Sequence, residues 1–233
     1  MGERGEIHQH SGWLIPLGVI LVILALSGMF LLYYLRPAPG AFRDRRASTT
    51  GITLAVRGTR LRIPASYLES GGTHGGDVDV VAMSALLPDM RGYSPSDSAL
   101  FARNATDSPV LHLLVKADTN SLDAASRFER IYKPYILDPT GDAGPFGLTR
   151  YMFRVDSGYG RDDLFVGNVP GLGTLLLLCE QPAQDVASPN CLAIDRPIAP
   201  GVTMSYRFKR AQLANWRQIS SGVDRLISGF MVH

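Results

Sequence analysis

Most of the short signatures that announce chemistry are missing from this sequence. There is no H-E-x-x-H and no C-x-x-C, and the five histidines, His8, His10, His74, His112 and His233, are scattered, so no metal-ligand spacing is present. There is no G-x-S-x-G elbow; the nearest string, Asp156-Ser157-Gly158-Tyr159-Gly160, reads as a hairpin turn. The segment from Gly167 to Gly173 leads into a strand and matches neither the Walker pattern nor the dinucleotide fingerprint, so no phosphate cradle and no cofactor is expected. Asp138 and Asp142, and Asp156, Asp162 and Asp163, sit in Gly- and Pro-containing loops, but their spacing departs from a calcium loop. Ordinary turn formation is expected of them. No catalytic, cofactor-binding or metal-binding residue is assigned.

An excess of positive charge is missing as well. From residue 51 onward there are 18 basic and 18 acidic residues. Phosphate neutralisation by Lys and Arg supplies most nucleic-acid affinity, so a neutral domain without a basic stripe excludes that partner class. Internal repeats and low-complexity tracts are also lacking.

Charge of either sign is absent from Trp13 to Leu35, WLIPLGVILVILALSGMFLLYYL, and here the absence is itself the signal. At about 1.5 Å per residue this run reaches roughly 34 Å, enough to cross a hydrocarbon core of about 30 Å. Trp13 stands at one boundary and Tyr33 and Tyr34 at the other, where aromatic rings favour the headgroup region, and Pro16 falls in the first turn, where a missing N–H costs little. The run is longer than a signal-peptide core of about 7 to 15 residues and follows few positive charges, which favours an uncleaved single-pass anchor. No G-x-x-x-G lies inside it to pair helices.

The domain organisation follows: a short polar tail, 1–12; a transmembrane helix, 13–35; an Arg/Pro/Gly linker, 36–50; and a soluble domain, 51–233. Two signals conflict on which side of the membrane the domain lies. Arg36, Arg43, Arg45 and Arg46 after the anchor, against Arg4 before it, place it in the cytoplasm by the positive-inside rule. The two cysteines, Cys179 and Cys191, flank a polar proline-containing loop between strand-like runs, a placement suited to a disulfide that persists in an oxidising compartment. The cysteines decide for the periplasm, with the basic flank left unexplained.

Along the domain, Ile52, Leu54 and Val56 and then Leu61 and Ile63 alternate with polar residues about a Gly58-Thr59 turn, a hairpin ended by Pro64. Asp77 to Ala82 alternates as a third strand, and Pro88 to Ser98 is a surface loop. Val110 to Ala117 is apolar enough for a strand buried on both faces, which makes His112 a hydrogen-bonded core histidine. Leu122, Ala125, Phe128 and Tyr132 recur at helical spacing, with Ser121 as cap and Pro134 as stop. A hairpin over Arg150–Val155 and Leu164–Val166, strands over Thr174–Cys179 and Cys191–Ile194, and an alternating strand Val202–Phe208 follow. The chain closes with an amphipathic helix. Leu213, Trp216, Ile219, Val223, Leu226, Ile227 and Phe230 lie on one side, and Gln212, Asn215, Arg217, Ser221, Asp224, Arg225 and Ser228 on the other.

These features predict an α+β fold: an N-terminal single transmembrane helix, then one mainly antiparallel-sheet domain covered by the C-terminal helix. With an anchor, a disulfide, a neutral domain and no catalytic constellation, the expected function is a non-catalytic protein-interaction domain in the bacterial inner membrane. It would face the periplasm and serve an envelope protein partner as an accessory or assembly subunit or as an inhibitor. The alternatives are an envelope hydrolase whose site joins His74 to the loops at 88–98 and 156–163, and a cytoplasmic-facing regulatory domain.

Overall fold

The computed structural model describes residues 14–35, 48–69, 75–119 and 122–232. The chain forms two compact units, Met1–Arg43 and Asp44–His233. The described part of the first is helix α1, Leu14–Leu35, whose 22 residues carry no charge. From Leu17 to Phe30 its large apolar side chains are exposed on every side of the helix. Among the described residues no helix is long and apolar enough to cross a membrane. The anchor expected over Trp13–Leu35 is therefore seen as a helix and is not established as a span, and Trp13 lies outside the described residues.

The second unit is a mixed α+β structure in which antiparallel pairing prevails. Its elements in chain order are β1 Gly51–Val56, β2 Thr59–Pro64, β3 Gly76–Asp77, β4 Val80–Leu86, α2 Ser98–Ala102, β5 Val110–Ala117, α3 Ala124–Arg127, β6 Asp142–Ala143, β7 Thr149–Met152, β8 Asp162–Val169, β9 Gly173–Glu180, β10 Asn190–Ala199, β11 Val202–Lys209 and α4 Trp216–Phe230. Strands β4 to β11 make an eight-stranded sheet in the order β4-β5-β11-β10-β9-β8-β7-β6, and β2-β1-β3 make a small one. The first hairpin turns at Arg57 and Gly58, both with positive φ (47° and 81°), one residue earlier than the spacing indicates. Both residues left-handed is the two-residue turn whose twist matches that of the flanking strands. The third strand predicted over 77–82 divides in two: β3 runs parallel to β1, and β4 starts the large sheet.

The core follows from the period of two. On one face of the large sheet Met83, Leu113, Val115, Met204, Phe208, Leu177 and Phe165 are buried. They share one cluster with Leu54, Val56, Leu61 and Ile63 of the first hairpin and with Trp216, Ile219, Val223, Ile227 and Phe230 of α4. The neighbouring residues Leu164 and Leu176 point to the opposite face and form a second cluster with Tyr132, Ile136, Phe153 and Ile194. At β8 and β9 the sheet is thus covered on both sides, which explains the unbroken apolar run Leu175–Leu178.

The segment over the second face departs from the expected helix. Asp123 accepts a hydrogen bond from the Ser126 backbone N–H at 2.7 Å and is the cap, whereas Ser121 lies outside the described residues. Regular α-helix then lasts only over α3, passing into a π turn at Phe128–Tyr132 and a 3₁₀ turn at Lys133–Tyr135. Pro134 has no N–H to give, so regular helix cannot continue through it. The changed pitch seats Phe128 against Tyr151 and Tyr132 against Tyr159, with ring centroids 5.0 and 5.3 Å apart.

Candidate protein-binding face

The cysteines meet at the base of the β9–β10 hairpin. Cys179 and Cys191 are directly paired across the strands, their Cα atoms 4.0 Å apart and their sulfurs bonded at 2.00 Å. Both are fully buried. The loop they close is tied at its root by Glu180, whose Oε2 accepts from the Asn190 backbone N–H at 2.7 Å and from its side-chain amide at 3.0 Å.

The loop aspartates part company. Asp138 accepts from the backbone N–H and hydroxyl of Thr140, a turn that holds its carboxyl below the usual range. Asp163, read from the sequence as part of a turn, is instead a buried strand residue, 1% exposed. Its Oδ1 accepts from Arg150 Nε and Nη2 at 3.0 and 2.7 Å and from Gln181 at 3.2 Å, and its Oδ2 accepts from Arg210 at 2.6 Å. Arg210 also donates to the carbonyls of Cys179 and Glu180. Beside this cluster Asp162 lies opposite Glu180, and burial, with the charges of Glu180 and Asp163, pushes its pKa up. Among the described residues no group of three His, Cys, Asp or Glu is placed to hold a metal ion.

His112 is not a core histidine. Its side chain is 41% exposed on the face of β5 turned away from the main core, and Nδ1 lies 2.6 Å from Glu69 Oε1. Ser84 stands opposite it on β4, and Glu69 follows the Leu68 bridge to Met83 at the outer edge of that strand. Ser84 is 1% exposed, however, and among the described residues no hydrogen bond joins it to His112. A substrate could not reach that hydroxyl. His74, the histidine assigned to the hydrolase alternative, lies outside the described residues, as do His8, His10 and His233.

Among the described residues the solvent side of α4 is open. The helix follows a 3₁₀ segment, Arg210–Asn215, and its buried side is fixed by Trp216, whose Nε1 donates to the Phe146 carbonyl at 3.1 Å. Phe146 is held with φ at 57°, and its carbonyl also accepts from Arg217. With one side so committed, the exposed side forms a ridge with a groove along each flank. One groove, of about 500 Å³, has Leu87, Pro88 and Pro109 as its apolar wall and Gln212, Asn215 and Gln218 opposite. The other, of about 560 Å³, runs between the β8–β9 turn at Pro170–Leu172 and Arg217, Ser221 and Asp224. Gln218 and Arg225 line both. Apolar walls with a few convergent amides and a guanidinium are equipped to bind, since they offer contact area and directed hydrogen bonds. They hold no nucleophile–base pair. The polar residues of this ridge are legible in the helical pattern, whereas the walls are turns that only strand pairing brings alongside, and no sequence signal marks them.

The sequence matches no family model and no curated protein. Among solved structures, an immunity protein of the Stenotrophomonas maltophilia type IV secretion system is similar in fold, with a TM-score of 0.57 over 80% of this chain and 95% of its own, at 14% identity. The iron-regulated outer membrane lipoprotein FrpD of Neisseria meningitidis covers 77% of this chain and 92% of its own at 15% identity. Its TM-score of 0.38 is too low to carry an argument. The first likeness is one of fold alone.

Proposed function

We propose that the protein is a non-catalytic envelope component, held in the inner membrane by α1, whose 44–233 unit binds another envelope protein in the periplasm and works as an inhibitor or accessory subunit. The observation that carries this is the double-grooved ridge of α4. It is a surface built for contact, while among the described residues Asp163 and His112 are engaged by internal partners. The buried disulfide supports an oxidising compartment, since such bonds persist there. The anchor rests on the uncharged run Trp13–Leu35 of the sequence. The shared fold with an immunity protein supports the inhibitor form, in which binding is itself the function.

The test is a photo-crosslinking residue placed at Gln218 in the full chain, expressed in membranes of the host, with the same residue at Ser157 as control. Protein adducts at position 218 and not at 157 are expected. Equal labelling at both positions, or none at 218, removes the ridge as the working surface. A reporter that functions only outside the cytoplasm, fused at His233, is expected to be active. Activity of a cytoplasmic reporter there would overturn the periplasmic assignment.

A further inference from the structure

We infer that the α4 ridge takes an acidic segment of the partner protein, seated with a carboxylate against Arg225. This rests on the protein-binding function proposed above and specifies the chemistry of what is bound. The groove beside Leu87, Pro88 and Pro109 contains no carboxylate, and its one charged lining residue is Arg225. In the other groove the one carboxylate, Asp224, is already paired with Arg196 at 2.7 Å, leaving Arg217 and Arg225 as the uncompensated charges. Arg217 is partly committed: it donates to the Phe146 carbonyl and lies over the Trp216 ring, 4.4 Å from its centroid. Arg225 is exposed and makes no ion pair among the described residues. Other arginines, such as Arg60 and Arg207, also lack a carboxylate among the described residues, but neither lines either of these two grooves.

The arrangement therefore presents one available guanidinium at the shared rim, which receives a carboxylate with two parallel hydrogen bonds. Gln212, Asn215 and Gln218 offer both donors and acceptors, the complement of an extended peptide backbone. The proline-lined wall gives the residue next to the acid an apolar seat.

The experiment is selection of a random peptide display library on the full chain in phosphatidylcholine nanodiscs. A Gln218→Trp chain serves as counter-selection against peptides that bind elsewhere. Asp or Glu enriched several-fold at one position over the starting library is expected. Arg225→Glu should exchange that preference for Lys or Arg, and Arg225→Gln should lose both. Because Arg225 is exposed, both variants should keep the thermal midpoint of the parent. If peptides sensitive to Gln218→Trp show no acidic preference, or keep it in Arg225→Glu, the acidic segment is wrong and the protein-binding function stands. If no selected peptide is sensitive to Gln218→Trp, both fall. Retention of phosphatidylglycerol vesicles by Arg225 with no acidic peptide selected also overturns the inference.

Discussion

Removing the Asp163 carboxylate should be the most damaging single change outside the apolar core. Four hydrogen bonds converge on it, three of them from guanidinium groups. Breaking a buried charge pair by deleting one partner typically costs about 3 to 5 kcal/mol, because the other charge is left stranded. Here the side chain of Arg150 is 37% exposed and can turn to water, and Arg210, 19% exposed, keeps two backbone carbonyls. Both reduce the loss, so Asp163→Ala is expected at the lower end, about 3 kcal/mol. With a urea slope of about 2 kcal/mol per molar, the unfolding midpoint should fall by about 1.5 M. Asp163→Asn should not rescue it, since its NH₂ faces one or other arginine whichever way the amide is turned. Replacing Asp163, Arg150 and Arg210 together by Leu, Met and Met should recover most of the loss, for no charge is then left unpaired. The assay is urea denaturation of the full chain in mild detergent, followed by Trp216 emission in a Trp13→Phe background. Arg161→Ala, which breaks the exposed Arg161–Asp185 pair, is the comparison and should leave the midpoint in place. If Asp163→Ala shifts the midpoint no more than Arg161→Ala does, the cluster does not hold the fold.

Three further outcomes are expected. The Cys179→Ala, Cys191→Ala double variant opens a loop of sequence separation 12, for which chain entropy gives about 3 kcal/mol, and the same loss should appear when the parent is denatured with reductant present. Gly167→Ala would place its Cβ 2.5 Å from Trp216 Cη2 and 2.7 Å from Leu148 Cδ2, in a rigid buried wall, and should cost about 1 to 3 kcal/mol with a shift in Trp216 emission. Gly222→Ala meets only the flexible end of Met90 at 2.6 Å, so its midpoint should move less; the reverse order would contradict the packing. Asp162, raised from 3.8 by burial and by Glu180, binds its proton more tightly folded than unfolded, so its contribution to stability declines as pH rises from about 4 through the raised folded value. Asp162→Asn should accordingly raise the thermal midpoint at pH 7 by a small amount and leave it unchanged at pH 3.

Much of the sheet is written in the pattern of side chains. β5, β9 and β11 lie within a residue or two of the predicted runs because both apolar runs and strict alternation map onto a pleated strand. The closing helix also runs where its stripe places it, although Leu213 belongs to the 3₁₀ segment before α4. What the pattern does not carry is which residue of a polar string goes inside. Asp163 looks like its neighbours Asp156 and Asp162, and only the register that sets it opposite Cys179 and brings Arg150 and Arg210 over it makes it a buried anchor. His112 stands in an apolar run yet takes the face of β5 turned away from the main core, where its ring is partly exposed beside Glu69. The segment after Asp123 has helical periodicity but yields its regularity to Pro134 and to the aromatic rings beneath it. For the candidate binding face, the ridge was legible and its walls were not, because strand order rather than periodicity places Pro88, Pro109 and Pro170 beside α4.

The end of α4 is stitched to the beginning of the domain. Leu61 of β2 bridges Met231, and Val232 donates its backbone N–H to the Arg60 carbonyl at 3.0 Å. The 44–233 unit is therefore closed like a clasp, its first hairpin and its last turn locking one another. Neither end can fray alone: releasing the last residues loosens β2, and peeling β2 frees the helix that bears the grooves. Deleting 231–233 should accordingly accelerate amide hydrogen exchange across Gly51–Pro64, some 170 residues upstream in the chain. A pull arriving at Gly51 would load β1 and β2 and reach the end of α4 through them.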